Sequence, residues 1–382
     1  MAKKIFIISL IIFVVAGGVF AAISLGLDLG KKEIEISQKN QENDENENLI
    51  PKTEDKKEEK QASKNKIEKV IEGDVYGASI DAFDNLFFQN GKNILKGNNQ
   101  GKSAFSLATH PFEKIERIIW SQDKTKVIVK DGNSFYLIYL VQGKVEKLKE
   151  GVDWAIFNFN GNKLIYKYYQ ASTKKRSINI SELDGENWKE LGEVEYKDLE
   201  IDSFVSLEKF IYFPKPDAFF ETKLALYDYK EEKEEKIFQG KTGADFLLSP
   251  KNDKILVSFT LENDKSKLSL AVMNANGGQF VGLNFPSSVR KCVWSKDNIN
   301  IYCARMGNFP SQAVLPNDWE SNKYNSADTF WKINTQTGEQ ERFLETDEIG
   351  GEYDGINFFF DENEKNLFFI NKKDQDLYRI SL

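Results

Sequence analysis

Residues 243–285 decide the fold, because they contain one complete unit that the rest of the chain repeats. They read Gly243-Ala-Asp-Phe-Leu-Leu-Ser-Pro-Lys-Asn-Asp-Lys254, Ile255-Leu-Val-Ser-Phe-Thr260, a charged loop, Lys267-Leu-Ser-Leu-Ala-Val-Met-Asn274, Ala275-Asn-Gly-Gly278 and Gln279-Phe-Val-Gly-Leu-Asn-Phe285. Four short apolar segments alternate with three turns rich in Asn, Asp, Gly and Pro, the residues that favour tight reversals. The unit therefore predicts one four-stranded antiparallel meander, of the size of a propeller blade.

The same strand–turn–strand pattern recurs from residue 67 to the end of the chain. First strands are predicted at Ala78-Ser-Ile80, Arg117-Ile-Ile-Trp-Ser121, Trp154-Ala-Ile-Phe157, Asp202-Ser-Phe-Val205, Asp245-Phe-Leu-Leu-Ser249, Lys291-Cys-Val-Trp-Ser295 and Ile356-Asn-Phe-Phe-Phe360. Taking Ile80, Trp120, Phe157, Phe204, Leu248, Trp294 and Phe360 as anchors, the spacings are 40, 37, 47, 44, 46 and 66 residues. A period of about 40–50 residues is typical of propellers. We therefore predict an all-β propeller of seven four-stranded blades, with six to eight compatible with the spacing.

The last predicted blade is one strand short, since its strands end near Phe360, Ile370 and Leu382. The segment Ile67-Glu-Lys-Val-Ile-Glu72 precedes the first blade and can supply the missing outer strand. Closing the ring in this way removes a free sheet edge, which would otherwise invite aggregation.

The best repeat resembles the W-S-P-D-G-K repeat of TolB-type propellers. The motif is carried by Leu248-Ser-Pro-Lys-Asn-Asp-Lys-Ile-Leu-Val-Ser258, with partial copies at Trp120-Ser-Gln-Asp-Lys-Thr-Lys-Val127, Trp294-Ser-Lys-Asp297 and, for the turn after a third strand, Leu183-Asp-Gly185. The blade at Asp202 lacks the Ser-Pro-Asp part, and the Gly-His/Trp-Asp signature of true WD repeats is absent from the sequence. The resemblance covers residues 67–382 and implies an interaction scaffold rather than an enzyme.

The first 30 residues predict a membrane anchor. A short basic start, Met1-Ala-Lys-Lys4, is followed by residues 5–27 without a charge, and a helix of ~20 apolar residues spans a bilayer. This run is longer than a signal-peptide core of about 7–15 residues. We therefore expect a single-pass membrane protein whose propeller lies outside the cytoplasm; the alternative is secretion after cleavage near Val19-Phe-Ala21.

Residues 31–66 are dominated by Lys, Glu, Asn, Asp and Gln. Such a segment buries too little apolar surface to offset the entropy of ordering it. We predict a disordered charged linker, which leaves residues 67–382 as the propeller domain.

Composition excludes several functions. The net charge of −8 argues against a nucleic-acid partner, because phosphate binding needs a clustered positive surface. The single histidine, His110, has Thr109 and Pro111 as neighbours and is predicted in a surface loop. The sequence has no Gly-rich phosphate loop, nucleophile elbow or Cys/His metal pattern. We therefore predict no cofactor, no metal site and a monomer.

Cys292 and Cys303 lie on adjacent predicted strands of the sixth blade. If Ser295 pairs with Asn300 across the turn, Cys292 lies opposite Cys303. Opposed residues have Cα atoms ~4.5–5.5 Å apart, which is within the disulfide range. A disulfide and two buried free thiols are both compatible with this pattern.

The longest predicted loops join second to third strands, so one face of the propeller is more elaborated than the other. These loops are residues 170–176, 214–221, 262–267 and 305–328. Extended loops are commonly functional, and we predict that this face binds a protein, peptide or glycan. The candidate binding residues are Phe309, Leu315, Trp319, Tyr324, Phe219, Phe220, Lys174, Lys175 and Arg176. The alternative is that the aromatic residues form a local core over the rim and the basic residues are solvated.

Carboxylates near the starts of first strands offer a competing function. Asp153, Asp202, Asp245 and Asp354 either line the central channel or make turn hydrogen bonds. Glycosidases use two carboxylates about 5–10 Å apart. A ring of carboxylates around a ligand-sized opening would indicate a hydrolase, whereas a channel plugged by Phe and Trp would indicate a scaffold. The sequence favours the scaffold and assigns no catalytic residue.

Overall fold

The structure, a computed structural model, describes residues 65–112, 115–307 and 309–382, without the side chains of residues 203–205. Among these residues no helix is long and apolar enough to cross a membrane. The predicted anchor at residues 5–27 and nearly all of the predicted linker lie outside the described residues.

The strands of the described residues form seven four-stranded antiparallel sheets, which confirms the prediction of seven blades. Blade 1 consists of β2 (Val75–Ile80), β3 (Asn85–Asn90), β4 (Asn93–Asn98) and β5 (Phe105–Thr109). Blade 2 consists of β6 (Ile115–Trp120), β7 (Lys126–Asp131), β8 (Ser134–Tyr139) and β9 (Lys144–Lys147). Blade 3 consists of β10 (Val152–Phe157), β11 (Lys163–Gln170), β12 (Lys175–Glu182) and β13 (Lys189–Glu193).

The remaining blades follow the same order. Blade 4 consists of β14 (Leu199–Ser206), β15 (Lys209–Pro214), β16 (Glu221–Asp228) and β17 (Lys233–Thr242). Blade 5 consists of β18 (Asp245–Leu248), β19 (Lys254–Leu261), β20 (Asp264–Asn274) and β21 (Val281–Gly282). Blade 6 consists of β22 (Cys292–Trp294), β23 (Asn300–Arg305), β24 (Thr329–Asn334) and β25 (Gln340–Arg342). Two short helices, α1 (Asn317–Glu320) and α2 (Thr346–Ile349), lie in the connections of blades 6 and 7.

Blade 7 closes the ring with a strand from the other end of the described chain. It consists of β26 (Gly355–Phe360), β27 (Asn366–Asn371), β28 (Leu377–Ser381) and, outermost, β1 (Ile67–Ile71). The first strand pairs antiparallel with β28, with Ile67 opposite Ile380. The predicted closure is therefore confirmed.

Neighbouring blades pack face to face, which explains the apolar second strands. In β19 every residue between Lys254 and Leu261 is buried, because the strand is covered on both faces by blades 4 and 6. Between blades 4 and 5 the rings of Phe213 and Phe246 meet edge to face with centroids 4.9 Å apart. Aromatic pairs favour this geometry. Phe residues of neighbouring blades therefore pack against each other and help to hold the blades together.

The Ser-Pro-Lys-Asn-Asp motif makes the first turn of blade 5. The Ser249 hydroxyl donates to the Asp253 carboxylate at 3.0 Å and accepts from the Lys254 amide at 3.2 Å. Asn252 adopts a left-handed backbone with φ 57°, which Asn tolerates better than most residues. The repeat motif thus specifies a turn and carries no binding chemistry of its own.

Two of the predicted long loops are tight turns instead. Leu261 pairs with Asp264, so the charged segment continues β19 and β20 rather than forming a loop. Gln170 pairs with Lys175 in the same way in blade 3. Cross-strand pairing extends these hairpins, and the long second-to-third-strand connections are residues 215–220 and 306–328.

The two cysteines lie opposite each other in β22 and β23, the register expected from the sequence. The Ser295 amide donates to the Asn300 carbonyl at 2.9 Å. The Cα atoms of Cys292 and Cys303 are 4.1 Å apart, and their sulfur atoms are bonded. Of the two alternatives, the structure contains the disulfide.

His110 lies in a loop, but the prediction that it is exposed is wrong. Its side chain is 2 % exposed and stacks on Phe112 with ring centroids 4.6 Å apart. Burial lowers the pKa of this histidine, and the charge of Asp131 opposes the shift. Phe112, two residues further along the chain, covers the imidazole, whereas Thr109 and Pro111 alone suggested a surface loop.

Candidate functional site

A cavity of about 1290 Å³ lies where the first strands of the blades begin. It is bordered by the starts of β6, β10, β14 and β18 and by the connections at residues 215–220 and 306–328. This is the elaborated face predicted from loop length. Ligand sites are typically of roughly 300–1,000 Å³, so the cavity can hold a ligand of several linked units.

Charged residues dominate the described wall of the cavity. Ten are basic: Arg117, Lys130, Lys147, Lys149, Lys167, Arg176, Lys197, Lys215, Arg290 and Lys372. Eight are acidic: Glu116, Glu150, Asp153, Asp198, Glu200, Asp202, Asp245 and Glu320. The wall therefore carries a net positive charge, although the chain as a whole has a net charge of −8.

The charges are unevenly distributed around the cavity. Blades 2 and 3 contribute a basic side, with Arg117, Lys130, Lys147, Lys149, Lys167 and Arg176 against Glu116, Glu150 and Asp153. Blades 4 to 6 contribute an acidic side, with Glu200, Asp202, Asp245 and Glu320 against Lys215 and Arg290. A ligand entering the cavity therefore meets opposite charges on its two sides.

Arg290 holds the acidic side together. Its Nε donates to Asp245 at 2.7 Å and its Nη2 donates to Glu200 at 3.0 Å. Although burial opposes it, the charge of Arg290, supported by Arg117, lowers the pKa of Glu200. Burial raises the pKa of Asp245, and the same arginine counteracts that shift. The guanidinium is thus occupied by the protein's own carboxylates.

Arg117 and Arg176 are held differently on the basic side. The Arg117 guanidinium carbon lies 4.0 Å from the centre of the Trp154 ring, and that of Arg176 lies 4.4 Å from the centre of the Tyr169 ring. Their ion pairs, Arg117 with Glu200 and Arg176 with Asp153, are long at 3.8 and 4.0 Å. Within the described chain, no hydrogen bond is made by either guanidinium. Aromatic rings orient these cations, whose donors make only the two long ion pairs among the residues that the structure describes.

Asp202 is an acid of the cavity whose pKa is raised toward neutral pH. Burial raises its pKa to about 6, with the negative charges of Glu200 and Asp245 adding to the shift and Arg117 opposing it. A carboxyl group that titrates near neutral pH in a cleft is a candidate for proton transfer.

The raised pKa predicts how Asp202→Asn changes stability with pH. The folded protein holds this proton up to about pH 6, whereas an unfolded Asp releases it near pH 4. Ionisation of Asp202 therefore lowers the free energy of unfolding progressively as the pH rises from about 4 to about 6, and the loss is constant at higher pH. We expect Asp202→Asn to raise the free energy of unfolding by about 1–3 kcal/mol at pH 7.5 and to have no effect near pH 4. Urea unfolding at both pH values measures this, and an equal effect at both would contradict it.

Trp319 and Asp354 belong to a buried network behind the cavity. The Trp319 Nε1 donates to the Asp354 carboxylate at 3.0 Å. Lys291 Nζ donates to Asp354 at 2.6 Å and to Asp328 at 2.8 Å. This network fixes α1, which brings Glu320 to the cavity wall, 3.4 Å from Lys215 Nζ.

The structure separates the residues that the sequence proposed for binding. In the last long connection Leu315 and Trp319 are buried and pack with Phe309 in one small cluster, while Tyr324 is half-buried under Lys323. Trp319 also reaches the cavity wall from the network behind it. In the connection of blade 4, Phe219 and Phe220 are 58 % and 71 % exposed. Lys174 and Lys175 are exposed outside the cavity, whereas Arg176 lines it.

The four carboxylates proposed from the sequence fall into two groups, those that line the cavity and one that is buried. Asp153, Asp202 and Asp245 line the cavity, which is open rather than plugged. Asp354 is fully buried in the network behind it. All four residues lie near the start of a first strand in the sequence. Their partners in the folded structure decide which of them line the cavity and which is buried.

The sequence reasoning missed Arg117, Glu200, Arg290 and Glu320. Arg117 and Glu200 lie at the starts of first strands, the positions at which acidic residues were considered. Applying the same rule to basic residues would have identified Arg117. Glu320 had no such signal, because α1 reaches the cavity only through the fold of its long connection.

Among the residues that the structure describes, no group of three or more His, Cys, Asp or Glu could hold a metal ion. The basic and acidic side chains of the wall offer donors and acceptors for a polar organic ligand.

Comparisons with known proteins identify the fold. The sequence matches no protein-family model and no curated protein. Among solved structures, an oligogalacturonate lyase from Vibrio parahaemolyticus superposes with a TM-score of 0.59 at 10 % identity, covering 82 % of this chain and 91 % of that one. An oligogalacturonate lyase in complex with manganese gives 0.58 at 11 % identity, over 83 % and 90 % of the two chains. The Swd1 propeller domain from Myceliophteria thermophila gives 0.56 at 11 % identity, over 83 % and 99 %. At these identities the likeness is one of fold.

Proposed function

We propose that the protein is a membrane-tethered propeller outside the cytoplasm that binds an oligosaccharide in its central cavity. The observation that carries the proposal is the cavity itself, whose wall presents mainly guanidinium and ammonium donors on one side and mainly carboxylate acceptors on the other. A sugar hydroxyl both donates and accepts hydrogen bonds, so each hydroxyl finds a partner of either kind on such a wall.

The location outside the cytoplasm is supported by two features. Residues 5–27 are uncharged and long enough to span a bilayer. Cys292 and Cys303 are bonded in the structure, and disulfides persist in oxidising compartments. An N-terminal anchor and the charged segment after it would hold the propeller as a monomer near the membrane surface.

The shape of the site favours an oligosaccharide over a folded protein. Stable protein interfaces bury about 800 Å² on each partner over a broad surface, whereas this site is a recess between the blades. On its basic side the rings of Trp154 and Tyr169 are covered by arginine side chains. Oligogalacturonate lyases, which share the fold at 10–11 % identity, suggest oligosaccharides as the first probes.

The test is a glycan array followed by calorimetry of the full-length protein with the best ligand. We expect saturable one-to-one binding that Trp154→Ala weakens at least tenfold, because this ring lines the cavity and supports Arg117. Trp188→Ala is the matched control, since this ring is 59 % exposed and lies outside the cavity. Absence of binding to any glycan, or equal loss in both variants, would refute the proposal.

A second candidate, a glycosidase-like hydrolase, is favoured by Asp202 alone. Its pKa of about 6 suits a general acid, and Glu200 and Asp245 lie on the same side of the cavity. Incubation of the protein with its bound oligosaccharide distinguishes the candidates. If the parent protein produces new reducing ends and the Asp202→Asn variant does not, the protein is a hydrolase. If the oligosaccharide stays intact, the protein is a binding protein.

A further inference from the structure

The two sides of the cavity differ in how their arginines are occupied. On the acidic side Arg290 donates two hydrogen bonds to buried carboxylates. On the basic side the guanidinium groups of Arg117 and Arg176 make none within the described residues. The planar fork of arginine matches a carboxylate in a bidentate pair. The free forks therefore lie where a ligand's own carboxylates can be bound.

Both free guanidinium groups are fixed before a ligand arrives. Each stacks on an aromatic ring, 4.0 Å from Trp154 for Arg117 and 4.4 Å from Tyr169 for Arg176. Trp154 is itself held, since its Nε1 donates to the Ile201 carbonyl at 2.8 Å. A donor that is already oriented loses less entropy on binding, so the basic side is organised for an anion.

Lys167 adds a buried positive charge to the same side. Its side chain is 2 % exposed and its Nζ lies 3.3 Å from an Asp153 oxygen. Burial lowers the pKa of Lys167, and the charge of Asp153 opposes the shift. One acid, Asp153, is thus shared between Lys167 and Arg176. Six basic residues on this side face three acids, Glu116, Glu150 and Asp153, so a local excess of positive charge remains.

The acidic side limits what such a ligand can be. Glu200, Asp245 and Glu320 share one arginine, and Asp202 is a further acid beside them. A segment carrying carboxylates along its whole length would be repelled there. Hydroxyl groups would instead donate hydrogen bonds to these carboxylates. An acidic sugar chain offers both groups, whereas an acidic peptide has few hydroxyl donors.

We propose that the ligand is an oligosaccharide bearing carboxylates, bound in one direction with its carboxylates at Arg117 and Arg176 and its hydroxyl groups at Glu200, Asp202 and Asp245. This inference rests on the proposed function and specifies the ligand class for the same cavity. The basic side selects for the acid groups and the acidic side excludes chains charged throughout.

The experiment compares an oligosaccharide that carries uronic acids at one end and neutral sugars at the other with the same oligosaccharide after reduction of its carboxyl groups, by calorimetry on the full-length protein. We expect the acidic form to bind at least tenfold more tightly, with an affinity that falls as salt is raised. We expect Arg176→Glu to remove this preference. Arg176→Gln, which adds no negative charge beside Asp153, should reduce the preference in the same direction.

Lys175→Glu is the matched control, because Lys175 precedes Arg176 in β12, is exposed outside the cavity and undergoes the same change of charge. Thermal unfolding of each variant establishes that it is folded. Equal affinity for the acidic and reduced forms, or equal weakening by Lys175→Glu, would overturn the inference and leave the proposed function standing. Binding of neither form, together with a blank glycan array, would overturn both.

Discussion

Replacing Lys291 by Met is expected to lower the free energy of unfolding by about 3–5 kcal/mol. Lys291, Asp328 and Asp354 all have fully buried side chains, and Lys291 Nζ donates to both carboxylates. Removing the lysine leaves two buried acids that repel each other without a counter-charge. Burial already raises the pKa of Asp328, so the variant should lose stability most at neutral pH, where a charged Asp328 would have no lysine beside it.

Urea unfolding measures this loss, and Lys296→Met provides the control. Lys296 pairs with Glu362 on the surface, with the two side chains 54 % and 43 % exposed, and such pairs contribute at most about 1 kcal/mol. Adding Asp328→Asn and Asp354→Asn to Lys291→Met should recover part of the loss, because the buried acids can then no longer be charged. Similar losses for Lys291→Met and Lys296→Met would contradict the role given to the network.

Deleting residues 60–75 is expected to destabilise the whole propeller by about 3 kcal/mol or more. The deletion removes β1, whose Ile67 is 4 % exposed and packs with Leu367 and Ile380. Burial of one such side chain contributes about 1.5–3 kcal/mol, and the backbone pairing with β28 is lost as well. The uncovered edge of β28 should also promote aggregation.

The control for this deletion removes residues 35–55, which belong to the predicted linker. Thermal unfolding and light scattering of the two variants and the parent provide the comparison. We expect the parent and the 35–55 deletion to unfold together and the 60–75 deletion to unfold earlier and to scatter more. Coincident unfolding of all three would show that closure by β1 adds nothing to stability.

The fold was predictable because propeller blades are built from local signals. Every blade repeats the apolar strands and most repeat similar turn residues, and the missing strand of the last blade pointed to Ile67–Ile71. Cys292 and Cys303 could be placed opposite each other because the hairpin that joins them is short. In each case, residues close in sequence set the structure.

The site was only partly predictable, since its partners are far apart in sequence. Arg290 and Glu200 are 90 positions apart, and Trp319 and Asp354 are 35 apart. These distant pairs decide which acid lines the cavity and which is buried behind it. The sequence around Asp202 and Asp354 therefore could not show that their positions differ. The exposed Phe219 and Phe220 matched the expectation of an elaborated face but lie outside the cavity wall.

The central claim is that the ligand lies inside the cavity rather than on the outer surface of the blades. Hydroxyl-radical footprinting with mass spectrometry tests it directly on the full-length protein with and without an acidic oligosaccharide. Trp154 and Tyr169 line the cavity, whereas Trp188 and Phe83 are exposed outside it. We expect the ligand to protect the side chains of Trp154 and Tyr169 from oxidation and to leave the oxidation of Trp188 and Phe83 unchanged. Protection of Trp188 or Phe83 with Trp154 and Tyr169 unaffected would contradict it.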